Sequence, residues 1–263
     1  MTTVSNVLSF LNTLAPQSRA MDWDNGGLLC GRRGKEVHRI LIALDPFEDA
    51  AAEAAEIGAE LIVTHHPLIF HPITAVTDET AIGRTILLLA KHDIAAINLH
   101  TNLDLAPEGV NDVLSKRLGL ENTQIVEPTD TDEAGRQWGL LRCGTVAEQP
   151  LEQFLQFVKD VLGTPVLRYA DGGKPVRRVA CGGGSCSDEI GSVSRAGCDT
   201  FVTSDAKYND FWDARDLGIT LIDAGHFYTE NPVCTYLCRK LEAAFPEIEV
   251  AISKQHRDCM KFF

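Results

Sequence analysis

The stretch 60-ELIVTHHPLIF-70 decides how the fold is interpreted, because a strongly apolar run ends on two adjacent histidines. Leu61, Ile62 and Val63 have the continuous apolar character of a strand that is buried on both faces of a parallel sheet. In open sheets of this kind, ligands bind outside the carboxyl ends of the strands. The two imidazoles that follow the strand are therefore candidate ligand-binding groups.

Similar apolar strands alternate with helical segments through the first half of the chain. Strands are predicted at 39–44, 60–66 and 94–100, and helices at 46–58, 79–93 and 107–119. An amphipathic helix precedes them, since apolar side chains recur at helical spacing at Val4, Val7, Leu8, Leu11 and Leu14. This alternation predicts a mostly parallel sheet that helices cover on both faces.

The second half of the chain resumes the alternation after a polar segment at 121–136, which we interpret as a linker or loop. Strands are predicted at 138–146, 165–170, 177–182, 200–205, 219–226 and 248–253, and helices at 151–163, 188–197, 208–218 and 229–246. The predicted fold class is α/β, with two Rossmann-like, αβ-layered domains at 1–125 and 126–263. In this arrangement the last strand can pack back on the first domain.

Composition and charge exclude several classes of protein. The chain has 263 residues, enough for two modest domains, and a formal net charge of −13. Nucleic-acid phosphates require a basic face, so no nucleic-acid partner is expected. No apolar segment approaches the length of a transmembrane helix, and the N-terminus lacks the basic region of a signal peptide. The eight cysteines are irregularly spaced without a CxxC pair, which favours free thiols in a reducing cytoplasm.

Metal-ligand residue types recur at the ends of three predicted strands: His65 and His66 on the first, His100 with Asp104 on the second, and His226 with Glu230 on the third. Each has an ordinary alternative, since a lone histidine at a strand end is usually packed or solvated, and a carboxylate there forms a turn or caps a helix. Their coincidence at three strand ends favours a metal site. Histidine and carboxylate donors suit zinc, iron, manganese or cobalt.

The adjacency of His65 and His66 favours two metal ions over one. Successive side chains on an ideal strand point to opposite faces, so the pair cannot easily converge on a single ion. If the chain turns at His66, the two rings can serve neighbouring ions with a carboxylate between them, as in dinuclear sites.

Five blocks of the sequence together resemble the NIF-three-like family, also known as GTP cyclohydrolase 1 type 2 homologues or dinuclear metal centre proteins. The blocks are DWDNGGLLCG (22–31), ELIVTHHPLIF (60–70), AINLHTNLDLAPEGVND (96–112), RVACGGGSCSDEIGSVSRAGCDTFVTSDAKY (178–208) and DAGHFYTENP (223–232). The chain is similar to the short bacterial type. Ser204 departs from the pattern, because a glycine is usual at that position of the block.

The resemblance implies two α/β domains, a toroidal homohexamer, and a two-metal site in the cleft between the domains. It gives the metal-binding role to five residues of this chain: His65, His66, Asp104, His226 and Glu230. Glu230 would bridge the ions in that picture. The resemblance places His100 beside the metals as a proton-transfer or outer-sphere residue, and Asp205 is a second candidate for that role.

The function that these features favour is a metal-dependent hydrolase acting on a small nucleotide-like or phosphorylated substrate. One alternative is a non-catalytic metal-handling protein, such as a chaperone, store or sensor, and another is an interaction scaffold with structural metals. The CGGGSC segment (181–186) has two readings, a cradle for a substrate anion or a plain tight turn. His71 could reach the same cleft, although a structural or surface role is the favoured alternative for it. Asp205, Lys207 and Tyr208 could also line this cleft, and capping of the next helix is the alternative for Asp205.

Overall fold

The protein is described here by a computed structural model that covers residues 1–263. The chain forms two compact units: the first combines Met1–Leu103 with Val233–Asp258, and the second combines Asp104–Pro232 with Cys259–Phe263. Each unit contains its own β-sheet with helices packed on it, which confirms the predicted α/β class. The predicted domain boundary near residue 125 stays a prediction.

The first unit is built on a five-stranded sheet in the order β1-β4-β3-β2-β13. Its strands are β1 (Gly27–Cys30), β2 (Arg39–Ala43), β3 (Leu61–Thr64), β4 (Ala95–Asn98) and β13 (Glu249–Ile252). Its helices are α1 (Val4–Leu14), α2 (Glu48–Glu56), α3 (Ala81–Lys91) and most of α4 (Thr101–Leu105) and α10 (Pro232–Ala244). All strand pairs are parallel except β1 with β4, as expected from the apolar strands that alternate with helices.

The core of the first unit sits under the central strands. Leu41, Ile62 and Ala96 are buried on one sheet face together with small side chains of α2 such as Ala50 and Ala54. Alanines let the helix approach the sheet closely, and the burial of these side chains removes apolar surface from water. This packing fixes the carboxyl ends of β2, β3 and β4 at one edge, in register from Ala43 to Thr64 to Asn98.

The second unit is built on a six-stranded sheet in the order β5-β8-β10-β11-β12-β9, accompanied by the two-stranded β6-β7. The strands are β5 (Glu121–Val126), β6 (Asp130–Thr131), β7 (Gln137–Trp138), β8 (Leu141–Gln149), β9 (Arg168–Ala170), β10 (Val176–Cys181), β11 (Thr200–Thr203) and β12 (Thr220–Asp223). The helices are α5 (Val110–Arg117), α6 (Leu151–Leu162), α7 (Ile190–Arg195), α8 (Tyr208–Asp216) and α9 (His226–Glu230).

Only the central strands of the second sheet are parallel. The β10-β11 and β11-β12 pairs are parallel, whereas the outer pairs are antiparallel. Alternate residues of each central strand enter two separate hydrophobic clusters, as Val202 and Phe201 of β11 do, so both faces of the sheet are covered. The carboxyl ends of the three parallel strands, β10, β11 and β12, therefore lie at one edge of the sheet. Ligands bind at this edge in parallel sheets.

The predicted linker at 121–136 is wrong for its first part, because Glu121–Val126 forms β5 at the edge of the second sheet. The first four side chains of β5 are exposed, so the segment lacks the apolar alternation that marks a half-buried strand. Backbone pairing with β8 stabilises it instead. The short strand β1 and the five-residue helix α4 were also not predicted, because four or five residues carry too little periodicity.

The predicted strand at 219–226 is too long, since β12 ends at Asp223 and His226 begins α9. Gly225 separates the two elements with a left-handed φ of 84°. The single helix predicted at 229–246 is divided into α9 and α10, and Pro232 occupies the first position of α10. His226 is therefore positioned by a helix start and by the turn before it.

None of the helices is both long enough and apolar enough to cross a membrane. All eight cysteines are free thiols in the structure.

Candidate metal centre

His65 and His66 leave the sheet together at the carboxyl end of β3. The strand ends at Thr64, and the backbone N–H groups of both histidines donate to the same acceptor, the carbonyl oxygen of Leu44, at 3.1 and 2.9 Å. The chain thus turns at this point, as the expectation of two splayed rings requires. The ring centroids lie 4.9 Å apart and the ring planes are inclined by 45°.

His100 joins these two histidines from the end of the neighbouring strand β4. Its ring centroid lies 5.4 Å from that of His65 and 5.7 Å from that of His66. One ring nitrogen from each of the three residues can serve as a ligand atom, and these atoms lie within 4.8 Å of one another. We call His65, His66 and His100 the histidine cluster of the first unit.

Each ring of the histidine cluster is held through Nδ1. The His65 Nδ1 lies 2.8 Å from the carbonyl oxygen of Leu99, the His66 Nδ1 lies 2.6 Å from Asp45 Oδ1, and the His100 Nδ1 lies 2.7 Å from Asp24 Oδ1. Carbonyl and ionised carboxylate oxygens only accept hydrogen bonds, so Nδ1 is the protonated nitrogen of each ring. In the neutral ring the lone pair is then on Nε2, which is the state that metal binding requires.

The two carboxylates behind these rings are strongly acidic. Burial works to raise the pKa of Asp24, but hydrogen bonds with His100 and Thr101 outweigh it and lower the pKa to about 2. Burial opposes ionisation of Asp45 in the same way, and its hydrogen bonds with His256 and His66 hold its pKa well below the usual range. Both carboxylates therefore stay charged at neutral pH and accept the Nδ1–H of the imidazole that each contacts.

His256 extends this arrangement away from the cluster. Its Nε2 lies 2.8 Å from Asp45 Oδ2, and its Nδ1 lies 3.5 Å from a carboxylate oxygen of Asp49. The side chain is buried, and although burial alone lowers the pKa of His256, the bonds to Asp45 and Asp49 raise it. Asp45 is thus clamped between two imidazoles, those of His66 and His256.

A second group of donors lies in the second unit, where Glu230 is the common neighbour. Its Oε2 lies 2.8 Å from His226 Nε2, one helical turn earlier in α9. Asp104 and Glu230 are buried and offer carboxylate oxygens within 4.8 Å of each other. We call Asp104, His226 and Glu230 the Glu230 cluster.

His226 is oriented by the same device as the first three histidines. Its Nδ1 lies 2.7 Å from Asp205 Oδ2. Burial alone would lower the pKa of His226, but the hydrogen bonds to Asp205 and Glu230 raise it to about 11. Asp205 has a left-handed φ of 54°, a conformation that a short polar side chain tolerates and that places its carboxylate against His226.

Ser204 stabilises the turn that carries Asp205. The Ser204 side chain is fully buried, its Oγ donates to the carbonyl oxygen of Gly184 at 2.7 Å, and its backbone N–H donates to the same oxygen at 3.0 Å. The residue that departs from the expected glycine therefore ties the Asp205 turn to the CGGGSC segment.

The CGGGSC segment packs beneath the Glu230 carboxylate. Its N–H groups donate to protein acceptors: Gly183 to Asn111 Oδ1 at 2.7 Å, Gly184 to Thr229 Oγ1 at 3.1 Å, and Cys186 to Thr203 Oγ1 at 3.2 Å. These bonds favour the tight-turn alternative over an anion cradle, because the donors are already used. Gly184 has a φ of 64°, and a Cβ at this position would overlap Glu230 Oε1.

The donor set of both clusters fits divalent transition metals. Imidazole nitrogens and carboxylate oxygens suit zinc, iron, manganese and cobalt. Histidines that bind metals almost always donate the other ring N–H to a carboxylate or a carbonyl oxygen, and all four histidines do so here. The site residues predicted from sequence thus occur as two donor groups, one in each unit.

Three other predicted candidates are not part of these clusters. His71 is exposed, and its ring lies 4.6 Å from that of Phe70. Lys207 is exposed and pairs with Asp188 at 3.6 Å, and Tyr208 is 75% exposed beside Trp212. Surface positions explain these residues without a ligand.

Sequence reasoning missed Asp24, Asp45 and His256. Asp45 follows β2 as His65 follows β3, so the rule that strand ends carry the site could have found it. Asp24 lies in the quoted block 22–31 but has no strand before it. No sequence pattern pointed to His256, because it follows the last strand and is far from Asp45 in the sequence. Folding of the chain brings the two side chains together.

Comparison with known proteins gives one consistent result. The profile of the Duf34/NIF3 (NGG1p interacting factor 3) family matches residues 2–259. A Clostridium perfringens protein named "GTP cyclohydrolase 1 type 2 homolog" is 34% identical over 266 residues, covering 98% of this chain and 99% of the relative.

Solved structures agree with this match. The crystal structure of a Bacillus cereus protein related to NIF3 is 25% identical and has a TM-score of 0.94, covering 100% of this chain and 99% of that one. A Staphylococcus aureus protein is 29% identical with a TM-score of 0.91, at 100% and 99% coverage. Because the family profile covers nearly every residue and close relatives match over their full lengths, this chain belongs to the Duf34/NIF3 family.

Proposed function

We propose that this protein binds two divalent metal ions through His65, His66, Asp104, His226 and Glu230 and hydrolyses a small nucleotide-like or phosphorylated molecule. The observation that supports this most directly is the orientation of the imidazoles. Each ring commits Nδ1 to a carbonyl or carboxylate and presents Nε2 as the ligand atom.

The carboxylates would balance the charge of the ions. Asp104 and Glu230 are both buried, and two unshielded carboxylates within 4.8 Å of each other repel in a poorly solvated site. In the metal-free protein, protonated His226 offsets part of this repulsion through Glu230. Bound divalent ions would lower the pKa of a coordinated water toward neutrality and polarise the attacked centre.

His100 is the residue that we propose for proton transfer. Its Nδ1 is held by Asp24 at 2.7 Å, and its side chain is 16% exposed, so its Nε2 can exchange a proton with a bound molecule. A base whose other nitrogen is oriented by a buried carboxylate is a recurrent catalytic arrangement. Asp205 holds His226 in place, and we propose that it is a positioning residue rather than a proton carrier.

The proposed substrate class rests on the names of related proteins. The Clostridium perfringens relative carries the name "GTP cyclohydrolase 1 type 2 homolog", which suggests a nucleotide or a related small molecule. Opening of a purine imidazole ring by hydrolysis would be consistent with that name. The toroidal homohexamer and the cytoplasmic location belong to the same proposal, and sedimentation analysis measures the former.

Metal content and turnover, measured on the same preparations, test the proposal. Purified protein would be analysed by elemental mass spectrometry as isolated, after chelation, and after reloading with zinc, manganese, iron or cobalt. Each preparation would then be assayed on GTP, other nucleotides and simple phosphoesters, with ring opening followed by ultraviolet absorbance. We expect two ions per chain and turnover that disappears on chelation and returns on reloading.

Alanine variants test which residues bind the metal ions. His65→Ala and Glu230→Ala should each lower the metal content, whereas His92→Ala, an exposed histidine at the end of α3, should leave it unchanged. Fewer than two ions per chain in wild-type protein would exclude the dinuclear arrangement. Two exchangeable ions without turnover on any substrate would favour the metal-handling alternative.

A further inference from the structure

Two large aromatic side chains next to the histidine cluster are substantially exposed. Trp23 is 58% exposed and Phe70 is 40% exposed, although side chains of this size usually bury most of their surface. We call Trp23 and Phe70 the aromatic pair. Both residues belong to the first unit, and neither has a role in the metal centre described above.

The aromatic pair borders His100 directly. The Trp23 and Phe70 ring centroids lie 6.0 and 5.9 Å from the His100 ring, and they lie 5.9 Å from each other. The Trp23 and Phe70 planes are inclined by 73°, so the edge of one ring meets the face of the other. Because 58% of Trp23 and 40% of Phe70 stay exposed, apolar ring surface remains open to solvent beside His100, a residue of the candidate site.

The aromatic pair is exposed, yet its backbone is firmly anchored. On one side of Trp23, Asp24 accepts hydrogen bonds from the backbone N–H and hydroxyl of Thr101 at 3.0 and 2.5 Å and from His100 at 2.7 Å. The Asp24 side chain has no exposed surface. Buried polar contacts thus anchor the backbone next to the exposed Trp23 ring. Surface loops are usually more mobile than this segment.

A direct bond connects the loops that carry the two rings. Asn25 Nδ2 donates to the carbonyl oxygen of Ile69 at 2.5 Å, so the second residue after Trp23 is bonded to the residue before Phe70. The Asn25 carbonyl oxygen accepts from Asn98 Nδ2 at 3.3 Å, at the end of β4. These bonds hold the two loops together in the absence of a ligand, and a surface that is ordered in advance binds more tightly.

We propose that Trp23 and Phe70 form a stacking platform for the purine base of a nucleotide, which would stack on the exposed face of one ring and meet the edge of the other. Flat heterocycles stack on exposed aromatic rings irrespective of their hydrogen-bonding edges, and each stacked base contributes measurably to affinity. A base on this platform would present its ring nitrogens toward His100. This inference rests on the proposed function and adds to it the residues that select the substrate class.

Binding measurements without turnover test the platform. Guanosine 5′-monophosphate and ribose 5-phosphate would be titrated into metal-loaded and chelated protein by calorimetry. The phosphate and sugar are shared by the two probes, so their difference reports the base alone. We expect Trp23→Ala and Phe70→Ala to weaken binding of the nucleotide by roughly 5- to 100-fold and to leave binding of ribose 5-phosphate unchanged.

Matched variants separate stacking from general damage. Trp23→Phe keeps a flat ring and should restore most of the affinity. Trp212→Ala removes another tryptophan that is 46% exposed and lies beside an aromatic neighbour, Tyr208, and it should have no effect. Circular dichroism and metal content should match wild-type protein in every variant.

Three results would overturn the platform. They are equal losses for both probes, no loss for the nucleotide in either alanine variant, and a changed oligomeric state of Trp23→Ala with unchanged nucleotide affinity. The last result would assign the aromatic pair to an interface between copies of the chain. Base-dependent binding in a protein that hydrolyses nothing would instead contradict only the proposed function, so the two failures are distinguishable.

Discussion

Asp45 joins His66 to His256, with one carboxylate oxygen 2.6 Å from His66 Nδ1 and the other 2.8 Å from His256 Nε2. A histidine from the far end of the sequence thus helps to orient a proposed metal ligand without approaching the metal site itself. Such outer partners fix the tautomer and the angle of a ligating ring. The first two predictions concern this connection.

Replacement of Asp45 should weaken metal binding without removing any proposed ligand. Asp45→Asn keeps the shape but removes the charge that stabilises the Nδ1–H of His66, and mutations of this kind typically cost about 10- to 100-fold in metal affinity. Competition titration with a chromogenic chelator measures the change. Asp78→Asn, an exposed aspartate in the 67–80 connection, is the matched control and should bind metal as wild-type protein does. Unchanged affinity in Asp45→Asn would show that the His66 ring is held by other contacts.

Replacement of His256 should act through Asp45. His256→Ala leaves one buried carboxylate oxygen without this donor, so we expect a loss of about 1–3 kcal/mol in the free energy of unfolding and a smaller loss of metal affinity than in Asp45→Asn. Because both residues belong to one hydrogen-bonded group, the effects of Asp45→Asn and His256→Ala should not add. Additive effects on metal affinity in the double variant would contradict this connection.

Gly184 should be required for the position of Glu230. Gly184→Ala introduces a Cβ that overlaps the Glu230 carboxylate, and it also strains a left-handed backbone. Gly173→Ala is a matched control, since Gly173 has a φ of 74° and open space around its Cβ position. Backbone strain should cost each variant about 1 kcal/mol of stability, and the overlap should cost Gly184→Ala a further amount and also reduce its metal content. Equal metal content in the two variants would contradict the overlap.

Metal binding should release a proton from His226. Without metal, Asp205 and Glu230 raise the pKa of His226 to about 11, so the imidazole is charged at neutral pH and must lose a proton to become a ligand. Metal affinity should therefore rise with pH, by about tenfold per unit where this single proton dominates. Calorimetry in buffers of different ionisation enthalpy counts the protons. Asp205→Asn should lower the pKa of His226 and reduce proton release at pH 8 to 9, whereas equal release in both proteins would contradict this origin.

The Asp24 carboxylate should contribute to resistance against acid. Its pKa is about 2 in the folded protein and near 3.8 when exposed, so its stabilising effect is complete above pH 4 and is lost as the pH falls toward 2. Because the residues around Asp24 are partly exposed, nearby solvent screens part of the effect, and we expect roughly 1 kcal/mol at neutral pH. Asp24→Asn should be less stable than wild-type protein at pH 7, and the difference should shrink between pH 4 and 2. Asp22→Asn, at an exposed neighbouring position, should show neither change.

Much of the fold could be predicted from the sequence because its central strands are buried on both sides. The apolar runs at 39–44, 60–66 and 94–100 correspond to β2, β3 and β4, and those at 177–182 and 200–205 correspond to β10 and β11. Edge strands were harder to predict. β5 is stabilised by backbone pairing and exposes four polar side chains, so its sequence has the composition of a loop.

The residues of the candidate site that follow the carboxyl end of a strand could be predicted from the sequence. His65, His66 and His100 come together because β3 and β4 are parallel neighbours in register. The alternation of strands and helices predicted the parallel sheet, and with it carboxyl strand ends at one edge. His256 reaches Asp45 because β13 pairs with β2, and strand order cannot be inferred from periodicity. The aromatic pair was also missed, since exposure cannot be recognised in Trp23 or Phe70 from the sequence.

The pairing of β13 with β2 has a consequence for biosynthesis. The ribosome completes Asp104–Pro232 before it makes β13, the strand that completes the first sheet. Until then β2 has one unpaired edge, and Asp45 lacks its contact with His256. The nascent chain therefore carries His65, His66 and His100 long before their support is complete, so tight binding of the proposed metal ions would be a late event in the synthesis of each molecule.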